Sequence, residues 1–251
     1  MAETPQPHTK QPAKRRTSPL VVISLVLPAL VMLLLLGNWQ VQRLAWKEDL
    51  LATIDTRMQQ APVDMDAAIS IWQQQGDVDY LPVTLEGRFL HDREQYFLAT
   101  YKGQSGWYVY TPLQMPDERT VIVNRGYVPY DLRDPTKRSW QPIEDSVTIV
   151  GLARNPLPEK PGSLLPDNTP DERTWYWKDH TAMAQTMGLS EATLQPFFVD
   201  VSTTNGAVSA GPAGGVTRVS LPNNHLQYAI TWFGLAAALI VVTGVFLWRK
   251  Q

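Results

Sequence analysis

Two apolar runs, one towards each end of the chain, constrain what the rest of the sequence can do. From Leu20 to Gly37 the sequence reads LVVISLVLPALVMLLLLG without a single charge, and Ala229 to Trp248 is uncharged as well. At about 1.5 Å per residue these runs give helices of roughly 27 and 30 Å, close to a hydrocarbon core of about 30 Å. Two transmembrane helices are therefore expected. Pro28 inside the first is tolerated in a membrane helix. Trp39 and Trp248 stand at span ends, where amphipathic rings favour the headgroup region. A cleaved signal peptide is the competing reading of the first run. Against it, the run is longer than a usual signal core, and Asn38-Trp39-Gln40-Val41-Gln42-Arg43 offers no small-x-small cleavage site.

The flanking charges set an expected orientation. Lys10, Lys14, Arg15 and Arg16 precede the first span, and Arg249 and Lys250 follow the second. Those six leave 16 of the 22 basic residues between the spans, against 23 of the 24 acidic ones. The positive-inside rule then places both termini in the cytoplasm and the central domain beyond the inner membrane. The expected organisation is a disordered cytoplasmic tail over 1–19, spans over 20–37 and 229–248, a central domain over 38–228 and a short cytoplasmic end over 249–251.

The chain has no cysteine, which excludes disulfides, zinc–thiolate sites, iron–sulfur ligation and thiol catalysis. It excludes cysteine-based copper delivery too. A net charge of −2 leaves no basic surface for nucleic acid.

After the first span, Trp39 to Met58 keeps good helix formers, with Lys47, Leu50, Leu51, Ile54 and Met58 on one stripe. This predicts an amphipathic stalk continuing the membrane helix. Asp64 or Asp66 can cap a short helix reaching Gln75. From Tyr80 onward the pattern becomes short β-like runs between turn residues: Val83–Leu90, Gln95–Tyr101, Trp107–Leu113, Thr120–Val128, Val147–Arg154, Thr174–Trp177, Pro196–Val201 and Thr217–Ser220. One helix, Thr181 to Met187, is expected to end at Gly188. The proline-rich segment Asn155–Pro170 and the stretch Asn205–Gly215 read as loops. Many short strands with few helices predict a mainly-β domain, a barrel-like antiparallel sheet whose closure removes exposed edges.

The motifs of hydrolases, phosphate loops and dinucleotide folds are missing. His91-Asp92 and Asp179-His180 each pair an imidazole with a carboxylate, but without metal-ligand spacing they read as surface histidines. His225 is different, because it opens the second helix in NNHLQYAITWFGLA. At 3.6 residues per turn His225, Tyr228, Ala229, Trp232 and Ala236 share a face. A neutral imidazole can ligate haem iron, and flat aromatics beside small side chains can accommodate a porphyrin. The alternative is an interfacial histidine bonded to the domain, with the small residues packing on the first helix.

Several segments together resemble a known pattern: LGNWQVQRLAWKEDLL at Leu36–Leu51, VTLEGRF at Val83–Phe89, VIVNRGYVP at Val121–Pro129, TWYWKD at Thr174–Asp179, and NNHLQYAITWFGLA at Asn223–Ala236. In this order between two terminal spans they resemble the surfeit locus protein 1 family of cytochrome c oxidase assembly factors, in its bacterial form. Tyr127 stands where the family often has Trp, and Lys178 where an apolar residue is common. The resemblance implies a non-enzymatic factor of a bacterial inner membrane, its domain periplasmic, that assists haem a insertion into oxidase subunit I beside haem a synthase and membrane lipid. It implies His225 as the haem a iron ligand, with Tyr228 and Trp232 as neighbours of the haem face and no other metal. It also assigns Trp39 and Arg43 to a helix-exit motif, and Arg125 and Gly126 to a structural one in which Gly126 needs a φ forbidden to side chains. A two-span receptor with an extracytoplasmic binding domain is the alternative class. It would need a cytoplasmic output domain, and only Trp248–Gln251 follows the second span.

Overall fold

A computed structural model describes residues 19–202, 211–217 and 223–249. The expected tail lies outside these residues except for Pro19, as does the expected strand Thr217–Ser220 except for Thr217, which is not in a strand. Helix α1 runs unbroken from Pro19 through Pro28 to Met58, and α4 runs from His225 to Trp248. Both are long and apolar enough to cross a membrane, and almost none of either apolar stretch is buried within the protein. This is a two-span membrane protein with a mainly-β domain between the spans. Beyond the apolar run, the stripe residues Lys47, Leu50, Leu51, Ile54 and Met58 are half-buried, while Glu48, Asp49, Ala52 and Thr53 are exposed. The 3.6-residue period of the stalk follows from this one-sided cover.

The chain forms two compact units, Met1–Leu50 with Leu221–Gln251, and Leu51–Ser220. In the first unit Gly37, Gln40, Ala229 and Ala236 are buried. A side chain at Gly37 would place its Cβ 2.8 Å from the ring of Phe233. Small residues let two helices approach in lipid, where no hydrophobic drive brings them together.

In the second unit the last turn of α1 is tied down by Arg57, which donates to the Asp77 carboxylate and the Asp79 carbonyl, each at 2.9 Å. Helix α2 (Met65–Gln75) begins where Asp64 accepts from the Ala67 amide and ends at Gly76 in the left-handed conformation. Seven strands follow: β1 (Pro82–Phe89), β2 (Gln95–Tyr101), β3 (Gln104–Gln114), β4 (Thr120–Pro129), β5 (Val147–Arg154), β6 (Thr174–Trp175) and β7 (Leu194–Val201). Helix α3 spans His180–Thr186 between the last two.

The strand order is β1-β5-β7-β4-β3-β2-β6, and β1 also pairs with β3. Five strands thus close into a barrel, with β2 and β6 extending it as a flap. Closure uses one edge of β3 twice: its first part, Gln104–Tyr110, pairs with β2, and its end, Leu113 and Gln114, pairs with Phe89 and Arg88 of β1. The expected all-antiparallel sheet is corrected at two places, because β4–β7 and β2–β6 are parallel. Parallel neighbours need a long crossover. The segment from Pro129 to Leu194, which holds β5, β6 and α3, supplies it for β4 and β7.

Side-chain alternation sorts the apolar residues into layers. Leu85, Val121, Val123, Phe197 and Val199 fill the barrel with Met65 and Ala68 of α2. The opposite faces of the same strands, through Ile122 and Phe198, pack with Trp175 and with Met183 of α3. Covered on both faces, β4 and β7 are buried almost throughout. A third cluster joins Tyr96, Trp107, Val109 and Val128.

Alternation breaks once in β4. Tyr108 faces Tyr127 and Tyr110 faces Asn124, so Val109 alone opposes both Arg125 and Gly126. This bulge has Gly126 at φ +127°, and a Cβ there would lie 2.1 Å from the Ala213 carbonyl oxygen. Ala213 exchanges backbone bonds of 2.9 and 2.8 Å with Tyr127, holding its segment against the bulge. Gly126→Ala therefore meets both a forbidden torsion and backbone, and should cost about 3 kcal/mol or more. Denaturant unfolding of the purified chain checks this; an unchanged midpoint would show that the bulge relaxes freely.

Candidate functional site

His225 is the first residue of α4, following Asn224. Its Nδ1 lies 2.7 Å from Oε1 of Gln40 on α1. An amide oxygen only accepts, so Nδ1–H is the donor and Nε2 keeps its lone pair. No hydrogen bond reaches Nε2 among the described residues. Gln40 is buried, 8 % exposed, and in this position it fixes both the tautomer and the ring orientation of the histidine. The indole of Trp39 stands edge-on to the imidazole, with centroids 6.4 Å apart and planes at 84°.

The shared helical face expected for α4 divides. Ala229 and Ala236 are buried and Trp232 is half-buried, whereas Tyr228 is 53 % exposed. The small residues therefore serve helix packing and are unavailable to a ligand. A neutral imidazole with a bonded Nδ1 and an open Nε2 is nonetheless the arrangement an axial ligand to haem iron requires, and the residues present fit that group. Gln40 was passed over in the sequence because 185 positions separate it from His225. Its place in Gly37-Asn38-Trp39-Gln40 was the available signal. Arg43, one turn beyond Trp39, lays its guanidinium over the Trp46 ring at 3.8 Å.

The second buried polar centre is in the domain. Glu94, 3 % exposed, takes Arg138 Nη1 at 2.8 Å and the Tyr96 hydroxyl at 3.1 Å on one oxygen, and Arg125 Nη1 at 3.2 Å on the other. Arg125 Nη1 also donates to Nδ1 of His91 at 3.1 Å, and His91 Nε2–H donates to the Ile143 carbonyl at 2.9 Å. His91 is thus a bonded, mostly buried residue, which corrects its reading as a surface histidine. His180 is corrected likewise: it lies edge-on to Phe198 at 4.9 Å, with Nε2 buried. Burial pushes the His180 imidazole below its ordinary pKa, against the opposing backbone bond of Gln195 and the charge of Asp179. Among the described residues no group of three His, Cys, Asp or Glu is placed to hold a metal ion.

A third polar centre forms around Asp200. It accepts from Asn124 Nδ2 at 3.0 Å and from the Thr217 hydroxyl at 2.7 Å, with Arg154 at 3.5 Å and Lys178 at 4.0 Å. Burial holds the Lys178 amine below its usual value, opposed by the Asp200 charge. Lys178 has this carboxylate to answer its buried charge.

Two spans with a barrel between them define a membrane-anchored protein whose domain stands between two apolar helices. The SURF1 family profile matches residues 27–237. Human surfeit locus protein 1 is 36% identical over 233 residues, covering 86% of this chain and 72% of the human protein. The rat protein is 36% identical over 81% of this chain and 68% of its own length. A SURF1-like protein of Drosophila melanogaster is 30% identical over 95% and 79%. The chain belongs to the SURF1 family, a family of cytochrome c oxidase assembly factors.

Removing the buried anion tests the domain centre. Burial alone would push the Glu94 carboxyl up, but the charges of Arg138 and Arg125 and their hydrogen bonds hold it below the ordinary 4.5. A depressed folded-state value contributes stability that is fully present above pH 4.5 and is lost as pH falls through the folded value. Glu94→Gln leaves two buried cations short of their partner and should lower stability at neutral pH by about 3–5 kcal/mol. It should also flatten the acid limb of a stability-against-pH curve. An unaltered acid limb would show that Glu94 is not the group responsible.

Proposed function

We propose that this protein assists maturation of a haem–copper cytochrome c oxidase by holding haem a at His225 and helping its insertion into subunit I, with haem a synthase as the source. The observation that carries the reading is the His225–Gln40 pair, set in a chain of the SURF1 family. Haem iron, when bound, supplies a Lewis-acidic centre for the open Nε2. Gln40 keeps the proton on Nδ1 and the ring fixed. Trp39, whose indole stands beside the imidazole, and the exposed Tyr228 offer flat apolar surface near His225, and Trp232 lies one turn further along α4. Lipid surrounds the two apolar helices and receives the hydrophobic parts of such a cofactor. The role is one of holding and release, and assigns no catalytic group. The proposed setting is a bacterial inner membrane with both termini cytoplasmic and the domain periplasmic, an orientation that the charge asymmetry around the spans supports.

Protein purified in detergent from cells that make haem a should carry haem absorbance. His225→Ala should abolish or strongly weaken haem retention and alter the Soret and α bands, while membrane insertion persists because the apolar length is unchanged. Gln40→Leu should weaken retention about 10–100-fold, the range for losing the residue that orients a metal-binding histidine. His180→Ala should leave the spectrum alone. Full occupancy with an identical spectrum in His225→Ala would remove this histidine as the ligand.

Orientation has its own test. Alkaline phosphatase fused after Asp117 should be active and after Gln251 inactive. The reverse pattern would invert the topology.

A further inference from the structure

The Glu94 centre is not charge-balanced, and the imbalance has a direction. Arg125 and Arg138 bring two positive charges to one carboxylate, and His91, accepting from Arg125, is neutral. Arg138 spends its donors on Leu132 and Arg133 carbonyls, Glu94 and Tyr96. Arg125 does not. Only Nη1 is bonded, while Nε and Nη2 are buried with no partner among the described residues. The side chain is 2 % exposed, and one face of its guanidinium is covered by the Phe89 ring at 4.7 Å. What remains unpaired is an edge. The Nε–H and one Nη2–H of a guanidinium point in parallel and match the two oxygens of a carboxylate. Leaving such donors buried and unmet is costly.

Arg125 lines a small cavity of about 50 Å³ together with His91, Glu94, Arg138, Trp140 and Pro142. By volume it holds roughly three or four water-sized groups, enough for one carboxylate and too small for a bulky acid. An open cleft of about 750 Å³ adjoins it, sharing His91 and Glu94 and lined further by Tyr96, Tyr130, Arg133 and Arg173.

We propose that this cavity is a carboxylate-binding site, in which the Nε/Nη2 edge of Arg125 grips the anion and balances the excess charge of the Arg125–Glu94–Arg138 centre. The carboxylate is either a small free acid or the arm of a larger organic acid whose body lies in the adjoining cleft. The site is independent of the haem reading at His225.

The test uses the full chain in detergent with ¹⁵N-labelled arginine, following the Arg125 Nε–H resonance, assigned by its loss in Arg125→Lys. Replacing chloride by formate at constant ionic strength through the millimolar range should move this resonance downfield and saturate, while other arginine signals stay still. Gly211→Ala supplies a variant that keeps every bond of the centre. Its Cβ would sit 3.5 Å from Arg125 Nη2, an ordinary contact, crowding the unpaired edge, and formate binding should weaken several-fold. If 4-phenylbutyrate saturates at lower concentration than formate, the ligand is the arm of a larger acid; if formate is tighter, it is a small free one. An Arg125 signal that ignores both acids, or a formate response equal in wild type and Gly211→Ala, overturns the proposal.

Discussion

One edge of β3 serves two strands, and the rest of the domain is arranged around that sharing. An eleven-residue strand is long enough for β2 to occupy its first part and β1 its end. The chain between those partners must leave the barrel after Phe89 and rejoin the sheet at Gln95. It does so through the short turn His91–Arg93, which brings His91 and Glu94 together at the gap. The same gap receives Arg125, because the bulge opposite Val109 shifts the alternation of β4 at that point. A β-bulge re-aims a side chain at the expense of one ladder bond. Here it delivers a guanidinium to the place where β1 and β2 part along β3.

Charge then finishes what topology begins. A carboxylate as buried as Glu94 must be paired and hydrogen-bonded to remain ionised. Arg125, Arg138 and the Tyr96 hydroxyl meet that need, while burial first and the Glu94 carboxylate second raise the Tyr96 phenol to about 12 against the charge of Arg138. Arg138 carries the segment after β4 back over the site, since its other donors hold the Leu132 and Arg133 carbonyls. The loop is therefore fastened beside β2 through one carboxylate as well as through the packing of Leu132 and Trp140 on the Tyr96 cluster.

What could be read in the sequence was what repeats locally. The two spans, the stalk stripe, β2 and β5 follow from runs and periods within a few residues, and β2 and β5 have the bounds the alternation predicted, Gln95–Tyr101 and Val147–Arg154. Helix α2 was legible because Asp64 is a chemical stop sign for backbone amides. The β4–β7 pairing was not legible as parallel, since both strands are covered on two faces and an apolar run carries no direction. Nor was the burial of His91: a histidine beside an aspartate looks solvated until the partners at Arg125 and Ile143, 34 and 52 positions away, are known. Gly126 was visible only through family resemblance, because a single glycine in a strand does not reveal what backbone approaches it.

The membrane pair shows the same limit from the other side. His225 drew attention because an imidazole at the head of an uncharged helix needs a reason to be there. The reason lies on the first span, where a glutamine in an equally unwelcoming setting has the complementary need. Neither is comfortable alone near lipid, where a polar side chain without a partner is expensive. Together they satisfy one another through a single bond and leave one nitrogen over. Any other acceptor opposite Nδ1 would stabilise the helix pair as well, but a donor there would protect Nε2 instead and close the site. The choice of a carbonyl oxygen at Gln40 is what holds the proton on Nδ1 and leaves the lone pair on Nε2.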